Sequence, residues 1–176
     1  MSSNDTTKQM AALERHFTVS GFLSYRGRTA LHWHRLGMWL PAGGHVEANE
    51  DPIEAVLREV EEETGIAAEV VPTTRPYPHE LPRQLPPPVT IGVYDIDDLG
   101  HPHQHIDLVY FTRPAAGSVP GLPDNGEGWR WVEAGALRSP ATALEGPAGP
   151  AAVPEDVRRL ALDAIAAVEA RAAGVG

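Results

Sequence analysis

Residues 17–25 (FTVSGFLSY) and 29–34 (TALHWH) are short runs of apolar, β-branched and aromatic side chains broken by small polar ones. Such runs read as two strands, and Arg26-Gly27-Arg28 between them fits a hairpin turn. The period then changes. Placed at about 100° per residue, Ile53, Val56, Leu57, Val60 and Thr64 fall on one stripe, which predicts a helix over 52–64 with that stripe in the core. Asp51 is a natural N-cap, Pro52 suits the first helical position, Glu54 completes a capping box, and Gly65 stops the helix. A short strand is expected at 66–71. Pro72 to Pro88 holds seven prolines in seventeen positions, so it can be neither a regular helix nor a central strand. It reads as an ordered, extended arm, because strand patterns resume at once in 89–96 (VTIGVYDI) and 107–111 (DLVYF), joined through a His-rich turn, LGHPHQH. Residues 114–128 read as loop, 129–137 (WRWVEAGAL) as strand into turn, and 140–154 as a Pro/Ala/Gly linker. A last helix is expected over about 154–172, with Leu160, Ile165 and Val168 on its apolar face.

This order of strands, helix, strands, helix suits an α+β or an α/β/α layered domain rather than a doubly wound one. At 176 residues and 42% hydrophobic content, one domain with a sizeable core is expected, spanning 15–176 after an N-terminal tail of residues 1–14. The absence of cysteine excludes disulfides, thiolate metal sites and a cysteine nucleophile. No apolar run is long enough to span a membrane, and the polar start, MSSNDTTKQM, has no secretory h-region, so a cytoplasmic location is expected. A net charge of −10 argues against an extended nucleic-acid partner. A small anionic ligand is still compatible if a cation offsets that charge.

The acids are not evenly spread. Seven lie between Glu50 and Glu63, and Glu59, Glu62 and Glu63 stand at i, i+3 and i+4 of the predicted helix, so their side chains can converge. A run of glutamates is ordinarily a solvated face. Here it sits near the helix C-terminus, where the macrodipole disfavours negative charge, and it follows a Gly43-Gly44 pair that permits close backbone approach. A hard divalent cation such as Mg²⁺ would turn the repulsion into coordination while keeping room for substrate phosphates.

Gly44, Glu50, Arg58-Glu59, Val60, Glu62-Glu63, Gly65 and Ile66 match every fixed position of the Nudix box. The chain therefore resembles the Nudix (MutT-like) hydrolases. The flanking WLPAGGHVE and RWV (130–132) resemble the usual entry and exit of that domain. The resemblance implies an α/β/α sandwich around a mixed β-sheet, with the box as loop-helix-loop. It implies hydrolysis of a nucleoside diphosphate linked to another moiety, with Mg²⁺ or Mn²⁺ held by Glu59, Glu62, Glu63 and the carbonyl of Gly43. Glu50 and Arg58 would brace loop against helix, and Glu62 or Glu59 would help deprotonate the attacking water. The family's general base often lies outside the box, which makes Glu127 a candidate against its plain reading as a loop acid. Substrate choice usually lives in loops such as the proline-rich arm, so Arg75, Tyr77 and Arg83 are candidate contacts. The arm could equally pack across a homodimer.

His101, His103 and His105 alternate in HPHQH, but neither cysteine nor an acidic pair completes a zinc spacing, and a solvated hairpin tip is the simpler reading. His105 is in phase with Asp107, Val109 and Phe111 and is a candidate substrate contact. His45 occupies an unspecified position of the box and receives no role, and His32 and His34 read as rim residues. Core packing suits Trp131, while Trp33 and Trp129 are open to stack a base. Two readings of function compete: a metal-dependent pyrophosphohydrolase acting on a small nucleotide, and a catalytically silent nucleotide-binding or regulatory module. The intact acid set favours the first. An isopentenyl-diphosphate isomerase, which shares the fold, is excluded by its need for a cysteine.

Overall fold

A computed structural model describes residues 13–174 apart from 99, 119, 123–127 and 148. The elements run β1 (Glu14–Tyr25), β2 (Arg28–His34), β3 (Met38–Leu40), β4 (Ala42–His45), α1 (Pro52–Thr64), β5 (Ala68–Val70), β6 (Thr90–Asp98), β7 (His101–Pro114), β8 (Arg130–Glu133), α2 (Ala134–Leu137), β9 (Ala143–Gly146), β10 (Gly149–Ala152) and α3 (Glu155–Ala172). Among the described residues, β1 to β8 form one mixed sheet and β9 and β10 a separate hairpin. Strands β1 and β7 are parallel from Glu14↔His103 to Leu23↔Thr112, and the other pairings are antiparallel.

Alternation along the strands divides the core in two. Val19 and Leu23 of β1 pack with Ala55, Val56 and Val60 of α1. Phe22, on the other face, packs with Val109, Phe111 and the α3 residues Val157, Ala161, Ile165 and Val168. The result is the expected α/β/α sandwich. Helix α1 comes close to β1 at Gly21, where an added Cβ would stand 2.5 Å from Val60 Cγ2. The caps of α1 are as read from the sequence: Asp51 accepts from the backbone N–H of Ile53 and Glu54, Glu54 accepts from that of Asp51, and Gly65 is left-handed with φ 68°. The proline-rich arm is held by its own contacts. Gln84 bonds the backbone of Tyr77 and His79, and Arg83 reaches Asp51 at 2.5 Å.

Several expectations are corrected. Residues 1–12 of the expected tail lie outside the described residues, and Glu14 already belongs to β1. HPHQH is strand rather than turn, because β1 and β6 offer it hydrogen-bonding partners on both sides. The 140–154 linker contains the β9–β10 hairpin, whose Gly146 lies against the Trp33 ring. Trp131 is half-buried and donates to the Pro120 carbonyl, while Trp129 is the buried member of the pair. His32 is no rim residue: it is 7% exposed and stacked on Trp129 with ring centroids 4.6 Å apart.

Candidate active site

Strand β4 brings Gly43, Gly44 and His45 alongside α1. Gly43 pairs with Ser20 and Gly44 with Val19 in the ladder with β1. The Gly43 N–H also donates to Glu63 Oε2 at 3.2 Å. A Cβ on Gly44 would collide with the Glu59 carboxylate, its Cδ 2.5 Å away, and one on Gly43 would collide with the Val19 carbonyl oxygen. Gly44 is therefore what lets this strand lie against the acidic side of the helix, and Gly43 what lets it lie close to β1.

Arg58 ties the loop, the helix and the acids together. Its Nε and Nη2 donate to the two oxygens of Glu50 at 2.6 and 3.0 Å, the expected brace. Nη2 also donates to the His45 carbonyl at 3.1 Å. Nη1 donates to Glu59 Oε1 at 2.7 Å and to Glu62 Oε2 at 3.1 Å. Planar five-donor geometry makes this fork possible, and lysine could not reproduce it. The hydrogen bonds from Arg58 hold the Glu50 carboxyl below its ordinary value, and the Glu50 and Glu59 carboxylates push the Arg58 guanidinium the other way, keeping it protonated. Glu59 side-chain exposure is 15% against 60% for Glu62, so Glu62 is much the more open of the two to an approaching ligand. The sequence foresaw the Glu50–Arg58 pair but not the reach to Glu59 and Glu62. The neighbour and i, i+4 spacings could have signalled it.

The donor set suits a hard cation: three carboxylates and a backbone carbonyl at one helix end, with no basic residue in the last turn of α1. Among the described residues no three His, Asp or Glu side chains are already gathered into a metal-ready group. At the acids the reason is visible: Glu59 and Glu62 are turned onto Arg58, and Glu63 onto Gly43.

The remaining candidates scatter. Arg75 is exposed on the arm. Trp129 is 8% exposed, with one ring face covered by His32. Glu127 lies outside the described residues. His105 stands on the α3 face of the sheet, and burial, then the rings of His45, His103 and His16, hold it below its ordinary value. Asp107, two residues on, is 7% exposed and accepts a hydrogen bond from Thr18, and burial raises it. The gathering of His16 and His45 beside His103 and His105 was invisible in the sequence, since it depends on the pairing of three strands.

A NUDIX domain model matches residues 15–151. An RNA pyrophosphohydrolase of Erythrobacter litoralis is 34% identical over 105 residues, covering 56% of this chain and 60% of its own length. The m7GpppN-mRNA hydrolase NUDT17 of Xenopus laevis is 36% identical over 75 residues, 39% of this chain and 25% of its own. The chain thus spans less than two thirds of either relative. Among solved structures, a hydrolase of the NUDIX family from Clostridium perfringens superposes with a TM-score of 0.63 at 26% identity, covering 89% of this chain and 99% of that one. With the box complete, its Gly44 seated against Glu59 and the domain model matched over residues 15–151, this chain belongs to the Nudix family.

Proposed function

We propose that the chain is a metal-dependent hydrolase that cleaves the pyrophosphate bond of a nucleoside diphosphate linked to another moiety. The observation that carries this reading is the Arg58 fork, which ties Glu50 of the loop to Glu59 and Glu62 of the helix, beside the Gly43–Glu63 hydrogen bond. Those four would hold Mg²⁺ or Mn²⁺. Such a cation, when bound, neutralises diphosphate charge and lowers the pKa of coordinated water. Glu62, the most open carboxylate, is the one we assign to accept the proton of the attacking water, with Glu59 beside it and Glu127 as a further candidate base. Glu50 and Arg58 are positioning residues. Arg75 on the exposed arm and His105 are proposed substrate contacts, whereas Trp129 has one face already covered.

The net charge of −10 favours a small nucleotide over a long polyanion, since few basic groups are present to trade for its counterions. The names of the two relatives favour a second reading, hydrolysis at an RNA 5′ end. Among the described residues no helix is long and apolar enough to cross a membrane.

A hydrolysis panel tests both readings, with phosphate counted after a coupling phosphatase acts on the phosphate-ester products or inorganic pyrophosphatase on released pyrophosphate. It comprises nucleotide sugars, ADP-ribose, dinucleoside polyphosphates, nucleoside triphosphates and a short RNA with a 5′ polyphosphate end, each with Mg²⁺ or Mn²⁺. Turnover is expected on a small nucleotide, falling about 10²-fold or more in Glu62→Gln. Mg²⁺ should raise the melting temperature, and Glu59→Gln should blunt that rise. Turnover on the RNA alone would select the second reading. A thermal shift without turnover on any substrate would select the silent binding module. Unchanged turnover in Glu62→Gln would remove Glu62 from the chemistry.

A further inference from the structure

The HPHQH segment is not used by the proposed hydrolysis beyond His105, yet the fold builds something around it. The parallel register sets His16 of β1 directly opposite His105 of β7, and His103 opposite Glu14. On the other side of β1, His45 of β4 lies opposite Thr18, diagonal to His16. Alternation puts all four imidazoles on one face. Their ring centroids are 5.0 Å apart for His45–His105 and His103–His105, 5.3 Å for His16–His103, 5.4 Å for His16–His45 and 6.1 Å for His16–His105.

These centroid spacings approach those of ligands around one ion, although the four ring nitrogens are not yet turned onto a common point. With metal–nitrogen bonds of about 2.0–2.1 Å in tetrahedral array, bound nitrogens lie about 3.3 Å apart and ring centroids about 5 Å apart. His103 Nε2 and His105 Nε2 are 3.2 Å apart. His103 is also oriented as metal-binding histidines are, with Nδ1 2.9 Å from the His101 carbonyl, which leaves Nε2 as the lone-pair nitrogen. His16 Nε2 lies 3.4 Å from Glu14 Oε1, an acidic neighbour for a cationic site. The rings are half-exposed or exposed, and His16 and His45 also border a depression of about 500 Å³ lined by Phe17, Val46, Glu47, Pro52 and Leu108.

We propose that His16, His45, His103 and His105 form a second cation site, selective for a divalent transition metal such as Zn²⁺ and distinct from the carboxylates of α1; His105, once ligated there, no longer serves as a substrate contact. Ring rotation about Cβ–Cγ completes it. Imidazole suits Zn²⁺, Cu²⁺ and Ni²⁺, whereas carboxylate and carbonyl oxygens suit Mg²⁺ and Mn²⁺, so donor chemistry sorts the two classes of ion between the two sites. An anion receptor is the weaker reading of the same cluster, because four imidazolium charges at these separations would repel one another. The site would also grip the box loop, since the His45 carbonyl accepts from Arg58 while the His45 ring faces the cluster.

The test uses untagged, chelator-stripped protein titrated with Co²⁺ and followed by its visible d–d bands. A single equivalent is expected to give the intense bands of tetrahedral Co²⁺, displaced by Zn²⁺ and indifferent to excess Mg²⁺. The bands should persist in the Glu59→Gln/Glu62→Gln variant. They should vanish in His103→Asn/His105→Asn, and His45→Asn should weaken binding about tenfold or more. Histidine ring nitrogen NMR of the unmutated protein provides a reading that needs no variant: Zn²⁺ should shift His16, His45, His103 and His105 and leave His79 unmoved. Absence of tetrahedral bands, loss of the bands in the carboxylate variant, or a Zn²⁺ response that spares the four rings would each overturn the proposal.

Discussion

Two adjacent glycines allow the proposed chemistry to be separated from the fold. In Gly44→Ala the new Cβ would lie 2.5 Å from Glu59 Cδ, where ordinary contact begins at 3.4 Å, so the carboxylate must retreat by about 1 Å. What it meets is the far end of a flexible side chain, and the fold can yield there at small cost. In Gly43→Ala the Cβ instead meets the Val19 carbonyl oxygen, with Ser20 Cα at 3.2 Å, so β1 itself must shift. Overpacking of that kind costs about 1–3 kcal/mol. A displacement of about 1 Å at a reacting group, by contrast, costs about 10²-fold in rate. Gly44→Ala is therefore expected to melt near the unmodified protein while kcat/KM falls about 10²-fold. Gly43→Ala should lose several degrees in melting temperature. Differential scanning fluorimetry and phosphate release on the best substrate of the panel give the two readings. If Gly44→Ala keeps kcat/KM within about threefold while remaining folded, Glu59 does not stand at the reacting centre and the argument fails.

Asp51→Ala should cost about 1 kcal/mol at neutral pH through the lost cap. The backbone N–H of Glu54, and then Arg83, hold the Asp51 carboxyl below its ordinary value, so its contribution is present above pH ~4 and lost as pH falls through the folded value. Urea titrations should show the variant's deficit shrinking toward about pH 3, and an equal deficit at both ends would contradict the sign. Gly21→Ala should destabilise by about 1–3 kcal/mol by driving a Cβ into Val60 and Val56. Adding Val60→Ala should recover most of that loss, and strictly additive losses would mean that α1 does not seat on Gly21. Arg58→Lys should lower the metal-free melting temperature more than the Mg²⁺-loaded one, so that the Mg²⁺-induced rise exceeds that of the unmodified protein. A smaller rise would mean that the cation does not compete with Arg58 for Glu59 and Glu62.

What the sequence revealed and what it hid follow from the range of the interactions. Helix α1 was legible to the residue because its signals are local: the Asp51–Glu54 box, the apolar stripe at helical spacing and the left-handed Gly65 all act within one or two turns. The place of Glu59, Glu62 and Glu63 on that helix was legible for the same reason. The identity of HPHQH was not, because β1 and β6 extend it into strand and β1 is some ninety residues away in the chain. His45 carries no weight as an unspecified box position, and gains it only when β4 pairs with β1 and aims it toward His16. Trp129 and Trp131 share one parity, and sequence alone could not say which of them the sheet would bury. The β9–β10 hairpin hid for a different reason: its residues are small and proline-bearing, and it leans on Trp33 rather than on its own apolar pattern.

The crowding of acids on α1 invites the expectation that only a cation can relieve it. The structure locates the first relief within the helix itself. Arg58 spends one edge of its guanidinium, Nε and Nη2, on Glu50 and the His45 carbonyl, and the other, Nη1, on Glu59 and Glu62. The first edge concerns Glu50 and the His45 backbone carbonyl, groups that a cation at the three carboxylates does not need, so it can persist when that cation binds. The second holds two of the three carboxylates that a cation would use, so binding there exchanges one partner for another instead of filling an unopposed negative site. A guanidinium divides its work between two edges in this way and an ammonium cannot. Affinity for the proposed divalent ion would thereby be set by the difference between two satisfied arrangements. An ion could then be held firmly enough to orient a diphosphate without leaving the metal-free helix to its own repulsion.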